Sequence, residues 1–219
     1  MRESPPASLV VASGGPSGCR RWHPDGDGRC GGGRGRGRSS GGSLSCPLCG
    51  GVLAPWGWAR GRSVRLRWGK PVALRPRRGI CRGCRGTHVL LADLCLLRRR
   101  YEVEVIGRAI EAKARGLGYV RIARELAVPV GTVRAWLRRF AGNAEAIRSH
   151  FTRWAFALDA ELSPIAPTGG GFADALEAIG VAVRAWVLRL GRRATWRLVA
   201  VLSGGVLLAT RGDLFRAVP

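Results

Sequence analysis

Cys46-Pro47-Leu48-Cys49 and, 31 residues further on, Cys81-Arg82-Gly83-Cys84 decide how this 219-residue chain is read. Two thiolates separated by two residues can grip one ion from a tight turn, and two such turns complete a tetrahedral site. Four thiolates leave no open coordination position, so the pattern predicts one structural zinc ion per chain, held by Cys46, Cys49, Cys81 and Cys84. Gly50, Gly51 and Gly86 stand just outside the pairs, where the backbone must turn its amides toward sulfur. A redox pair would sit between a strand and a helix of a βαβ unit, and neither pair does. Cys19, His23 and Cys30 are too irregularly spaced for a second site. Cys95 reads as a small buried apolar residue, and His88 as a strand residue rather than a spare ligand.

Between the two pairs, Val64, Leu66 and Trp68 alternate with Arg65 and Arg67 until Gly69-Lys70-Pro71 breaks the run. Val72, Leu74 and Pro76 then alternate with Ala73, Arg75 and Arg77. This period of two predicts a hairpin with much of its arginine exposed. Residues 45–92 hold ten Lys or Arg and no Asp or Glu, in a chain of net charge +23. Only Lys70 and Lys113 are lysines; codon usage in a GC-rich genome would explain arginine over lysine, but not the missing carboxylates. A surface without acids attracts polyanions, which favours nucleic acid over a small acidic substrate. Arg65, Arg67, Arg75 and Arg77 are the candidates for salt-sensitive backbone contacts.

From about residue 93 the spacing becomes helical. Val103, Ile106, Ile110 and Ala114 mark a first helix that Gly116 terminates, and Val120–Leu126 a second. A third runs from about Val130 to Phe140 and buries Val133, Trp136, Leu137 and Phe140. The second and third, joined by Ala127-Val128-Pro129, have the layout of a helix-turn-helix whose second helix enters the major groove. Thr132 and Arg134 then face base edges, and Arg138 and Arg139 face phosphates. Asn143 is placed to cap a fourth helix with the stripe Ile147, Phe151, Trp154 and Leu158. Leu176, Ile179, Val183, Trp186 and Leu190 mark a fifth, and a last apolar element lies within Thr195–Thr210.

The fold class expected is therefore α+β, mainly α. Residues 1–44 form a disordered Gly/Arg/Ser-rich tail, 45–92 a zinc ribbon, 93–142 a helix-turn-helix domain, and 143–219 a helical extension that packs on it or pairs two chains. Met1 is the only methionine, so a later true start would need an alternative codon. The odd cysteine count and the lack of a secretory segment point to a reducing cytoplasm, with the protein on the nucleoid. Leu198–Thr210 is too short to span a bilayer, so no membrane partner is expected.

Cys46-Pro-x-Cys49, Trp56-Gly57, Arg75-Pro-Arg-Arg78, Cys81-x-x-Cys84, Thr87-His88-Val-Leu-Leu91 and the helix-turn-helix together resemble a group of small bacterial proteins. These combine a zinc ribbon with a homeodomain-like helix-turn-helix and are similar to the DNA-recognition end of insertion-sequence transposases. The resemblance covers about residues 45–210. It implies a non-enzymatic binder of double-stranded DNA, acting as a transposon-associated accessory factor beside a transposase or as a transcriptional regulator. A transposase needs three carboxylates on an RNase H-like sheet. Glu145, Asp159, Glu161, Asp174, Glu177 and Asp213, the acids after Phe140, have no strands to carry such a site. Two other classes remain: an RNA-binding or ribosome-associated ribbon protein, and a nuclease or recombinase in which Asp159, Glu161 and Asp174 cluster around metal.

Overall fold

The alternation of apolar and basic residues gives short strands up to Ala92, and the 3.6-residue spacing from Val103 onward gives helices. A computed structural model describes residues 8–12, 44–69, 71–167 and 169–210 of the chain. In chain order the strands are β1 (Ser8–Ala12), β2 (Leu53–Trp58), β3 (Arg62–Arg65), β4 (Pro71–Leu74), β5 (Arg77–Cys81) and β6 (Thr87–Ala92). The helices are α1 (Val103–Ala114), α2 (Tyr119–Leu126), α3 (Val130–Gly142), α4 (Ala144–Leu158), α5 (Gly171–Leu190) and α6 (Thr195–Leu202). The class is α+β with helix predominating.

Four strands form one sheet in the order β1-β6-β5-β2. β2, β5 and β6 pair antiparallel, while β1 lies parallel to β6. β1 departs from the disordered tail expected for residues 1–44, because Ser8-Leu-Val-Val-Ala12 is β-prone enough to take the free edge of β6. The rest of that tail, with Cys19, His23 and Cys30, lies outside the described residues. The expected hairpin is the separate pair β3–β4, with Val64 opposite Val72. Its first strand ends at Arg65, and the backbone turns through a 3-10 segment at Arg67–Gly69 instead of continuing to Trp68.

The main core lies among the helices. Ile106, Ile110, Ile122, Val133 and Phe140 are buried there with Ile147, Phe151, Ile179 and Trp196. α1 ends as its sequence predicts, with Gly116 at φ +90 just past the last turn. Asn143 stands at the N-cap position of α4, as expected, but its side chain makes no capping hydrogen bond. Its amide Nδ2 instead donates to Ala209 O at 3.0 Å, fastening the chain after α6 to the α3–α4 junction. The deepest face of α5 is Ala175, Ala178, Ile179, Ala182, Val183 and Ala185, and Leu190, expected in the buried stripe, is 58 % exposed. Small residues let two backbones approach, and α5 lies close along α4. Gly171 meets Ala144 at one end and Arg189 donates to Leu158 O at the other, so the two helices run parallel.

Two helical glycines illustrate opposite constraints. A Cβ on Gly107 would collide with the Trp196 ring, and that indole is buried with Nε1 donating to Glu111 Oε1 at 2.7 Å. Gly180, within α5, has nothing within 4 Å of an added Cβ. Denaturant unfolding should therefore show Gly107→Ala destabilised by about 1–3 kcal/mol or more, as overpacking predicts. Gly180→Ala should gain about 0.5–1 kcal/mol, because the alanine costs less conformational entropy.

Candidate metal centre and nucleic-acid interface

Strand register brings the cysteines together. Leu53 pairs with Cys81 and Ala54 with Ile80, so the turn preceding β2 lies beside the turn joining β5 to β6. Each turn closes in the same way. Gly50 N–H donates to Cys46 O at 2.8 Å and Cys46 N–H to Gly51 O at 2.7 Å. In the second, Arg85 N–H donates to Cys81 O at 3.1 Å and Cys81 N–H to Gly86 O at 2.9 Å. The four Sγ atoms of Cys46, Cys49, Cys81 and Cys84 consequently lie within 4.8 Å of one another. Among the described residues this is the one group of three or more His, Cys, Asp or Glu that could hold a metal ion. Asp159 and Glu161 lie on the segment after α4, and Asp174 in the first turn of α5.

The chemistry of this donor set fits a metal. The Cys84 backbone N–H brings the Cys81 thiol down to about 7 against the opposing effect of desolvation. The Gly86 N–H acts the same way on Cys84, but desolvation and the three neighbouring sulfurs push that thiol up to about 11. One thiolate forms readily and then opposes the next. A cation at the centre reverses the opposition, because coordination deprotonates a thiol outright. Space is equally constrained, since a Cβ on Gly51 would sit 3.1 Å from Cys81 Sγ and one on Gly86 3.3 Å from Cys84 Sγ.

His88 belongs to β6, as expected, yet its fully buried ring places Nε2 3.3 Å from Cys46 Sγ. It is the polar neighbour of the sulfur cluster that sequence spacing could not identify, because the contact depends on the pairing of β5 with β6.

The basic residues fall in two places. Arg65, Arg67, Arg75 and Arg77 are exposed around the hairpin and β5, with the Arg65 guanidinium 6.0 Å from the Tyr101 ring centre. Arg134 and Arg138 are exposed on α3, while Thr132 and Arg139 are half-buried. Arg134 lies 5.8 Å from the ring centre of Tyr119, the first residue of α2 and itself 41 % exposed. Ala127, at φ +51, bends the chain between α2 and α3, and Val128 is buried beneath that turn. Leu126 is only partly buried.

The model for a domain of unknown function (DUF6431) matches residues 46–126, from the first cysteine of the cluster to the last residue of α2. No curated protein and no solved structure matches the chain.

Because four thiolates must be brought together, removing metal with a strong chelator should unfold the ribbon, and Cys46→Ser should have the same effect. Native mass spectrometry should show one metal ion lost in each case, whereas Cys95→Ser should keep it. Arg85 holds φ +61 where the first turn has glycine, Gly50 at φ +71. Thermal unfolding of the metal-loaded protein should show Arg85→Gly unchanged or stabilised by up to about 1 kcal/mol.

Proposed function

We propose that the chain is a sequence-specific DNA-binding protein with a structural zinc ion in the four-cysteine centre. The observation that carries this reading is the exposed outer face of α3. Arg134 and Arg138 project outward while Val133, Trp136, Leu137 and Phe140 anchor the opposite face in the core. Ile122 and Ala123 supply the buried face of α2, and the tight turn at Ala127 sets the two helices as a helix-turn-helix. Thr132 and Arg134 read base edges, Arg138 and Arg139 grip phosphates, and Arg65, Arg67, Arg75 and Arg77 add contacts from the ribbon. Zinc suits four thiolates in a closed tetrahedral site, where it folds the ribbon and performs no chemistry.

The chain acts by binding rather than catalysis, as a transposon-associated accessory factor or a transcriptional regulator on the nucleoid. Leu188, 79 % exposed, and Leu190 at the end of α5 offer the apolar surface through which a second copy pairs. The resemblance to the DNA-recognition end of transposases supports a transposase partner.

Binding-site selection from random duplex DNA tests this reading. Wild type should enrich one motif, and Arg134→Ala should relax it at one position, a loss of about 1–3 kcal/mol of discrimination. Zinc content and melting temperature should stay nearly unchanged in that variant. Trp136→Ala should instead destabilise the fold by about 3–5 kcal/mol. Absence of any enriched motif would move the assignment to structured RNA.

Salt provides the companion measurement. Log affinity should fall against log salt by about 0.9 per phosphate neutralised, and changing Arg65 with Arg67 should flatten the slope and weaken all sequences alike.

A further inference from the structure

The ribbon carries a second surface that the duplex-reading helix does not use. β2 is the outer strand of its sheet and exposes two indoles, Trp56 at 55 % and Trp58 at 51 %. Their exposure follows from a bulge. Pro55 pairs with Gly79 and Trp58 with Arg77, so two residues of β2 oppose one of β5, and Gly57 takes φ +83. Such a bulge bends a strand and re-aims its side chains. The Arg77 guanidinium lies over the Trp58 ring, 4.7 Å from its centre. Beside this pair is a cleft of about 470 Å³ walled by Leu44, Leu53, Pro55 and Leu90. That volume falls within the range of small-ligand sites.

We infer that this cleft is a stacking site for an unpaired base of single-stranded DNA. An exposed indole with an arginine on its face, set in a basic surface, is the combination that holds unpaired strands. The ring takes the base and the cations follow the phosphates. Charge complementarity identifies the occupant, because residues 45–92 contain ten cations and no acid. Residues 31–42 are glycine, arginine and serine alone and offer neither an apolar nor an acidic side chain to fill the cleft. Its lining has no hydroxyl, amide or carboxylate side chain. Its hydrogen-bonding side chains are the guanidiniums of Arg77 and Arg78 and the indole of Trp58, donors suited to phosphate and to a stacked base. It has no side-chain acceptor by which to select a ribose 2′-hydroxyl.

The test uses the full metal-loaded chain and three labelled oligomers of one length: deoxythymidine, an abasic deoxyribose-phosphate strand of the same charge, and uridine. Wild type should bind the deoxythymidine oligomer most tightly. Trp58→Ala should weaken it about tenfold to a hundredfold, down to the affinity of the abasic strand, while Trp58→Phe should retain most of it. Metal content and melting temperature should be nearly unchanged in Trp58→Ala, since that indole is half exposed. Duplex should lose far less affinity than the deoxythymidine oligomer, because its bases are not free to stack. The site is independent of α3, so Arg134→Ala should bind the oligomer like wild type. Equal affinity for the abasic and thymidine strands, tighter binding of uridine, or no effect of Trp58→Ala would overturn the inference.

Discussion

Four sulfurs held within 4.8 Å of one another are the constraint on which the N-terminal half depends. Left to themselves they oppose each other's ionisation, which is why Cys84 is pushed up while Cys81 is drawn down. The strands around them cannot compensate by burying apolar surface. Outside the helical core, the buried cluster of the ribbon is Val64, Leu91 and Cys95, backed by Leu74 and Leu94. A core that small is marginal, and metal coordination is a standard substitute for it. The register of β2 on β5 that gathers the sulfurs also leaves the bulge and its two tryptophans at the outer edge.

The ribbon is tied to the helices through a few polar groups. Glu102, nearly buried at the start of α1, donates its N–H to Arg65 O at 2.9 Å. Its carboxylate accepts from Arg67 N–H and from the Arg197 guanidinium of α6, each at 3.3 Å. Arg62 of β3 donates to Arg99 O at 2.6 Å and to Leu96 O at 3.3 Å. Asp93 pairs with Arg193 at 2.9 Å beyond α5. One acid, Glu102, therefore joins the hairpin, the first helix and the last, coupling the order of the ribbon to the edge of the helical domain.

Much of this was legible in the sequence, for physical reasons that also set the limit. The cysteine spacing carries its own geometry, and the gathered sulfurs need only two turns laid side by side. The apolar period placed Val133, Trp136, Leu137 and Phe140 in the core because helix amphipathicity is local. What failed was non-local. Asn143 holds the N-cap position of α4, but its side chain is oriented by donating Nδ2–H to a carbonyl 66 residues away instead of accepting a helix N–H. Leu190 fits the period of α5, yet close approach to α4 selects alanines and leaves the helix end uncovered. The contact of His88 with Cys46, and the stacking of Arg77 on Trp58, arise from strand pairing and one inserted residue, which no periodicity reports.

The distribution of charge gives the missing carboxylates a reason. Several arginines hold the fold by donating to backbone carbonyls: Arg62 to Leu96 and Arg99, Arg99 to Leu208, and Arg189 to Leu158. A carbonyl accepts the hydrogen bond without cancelling the charge, whereas an aspartate in its place would form a neutral pair. Structural arginines bonded in this way still contribute to the positive field of the surface, even where they touch no ligand. The field is thus larger than the exposed residues Arg65, Arg75, Arg77, Arg134 and Arg138 would generate alone. It spans both the ribbon and α3, and a field of that sign and extent is one that attracts polyanions. In the proposed function, long-range attraction comes from the whole arginine set, and sequence discrimination is left to the outer face of α3, whose opposite face Val133, Trp136, Leu137 and Phe140 fix in the core.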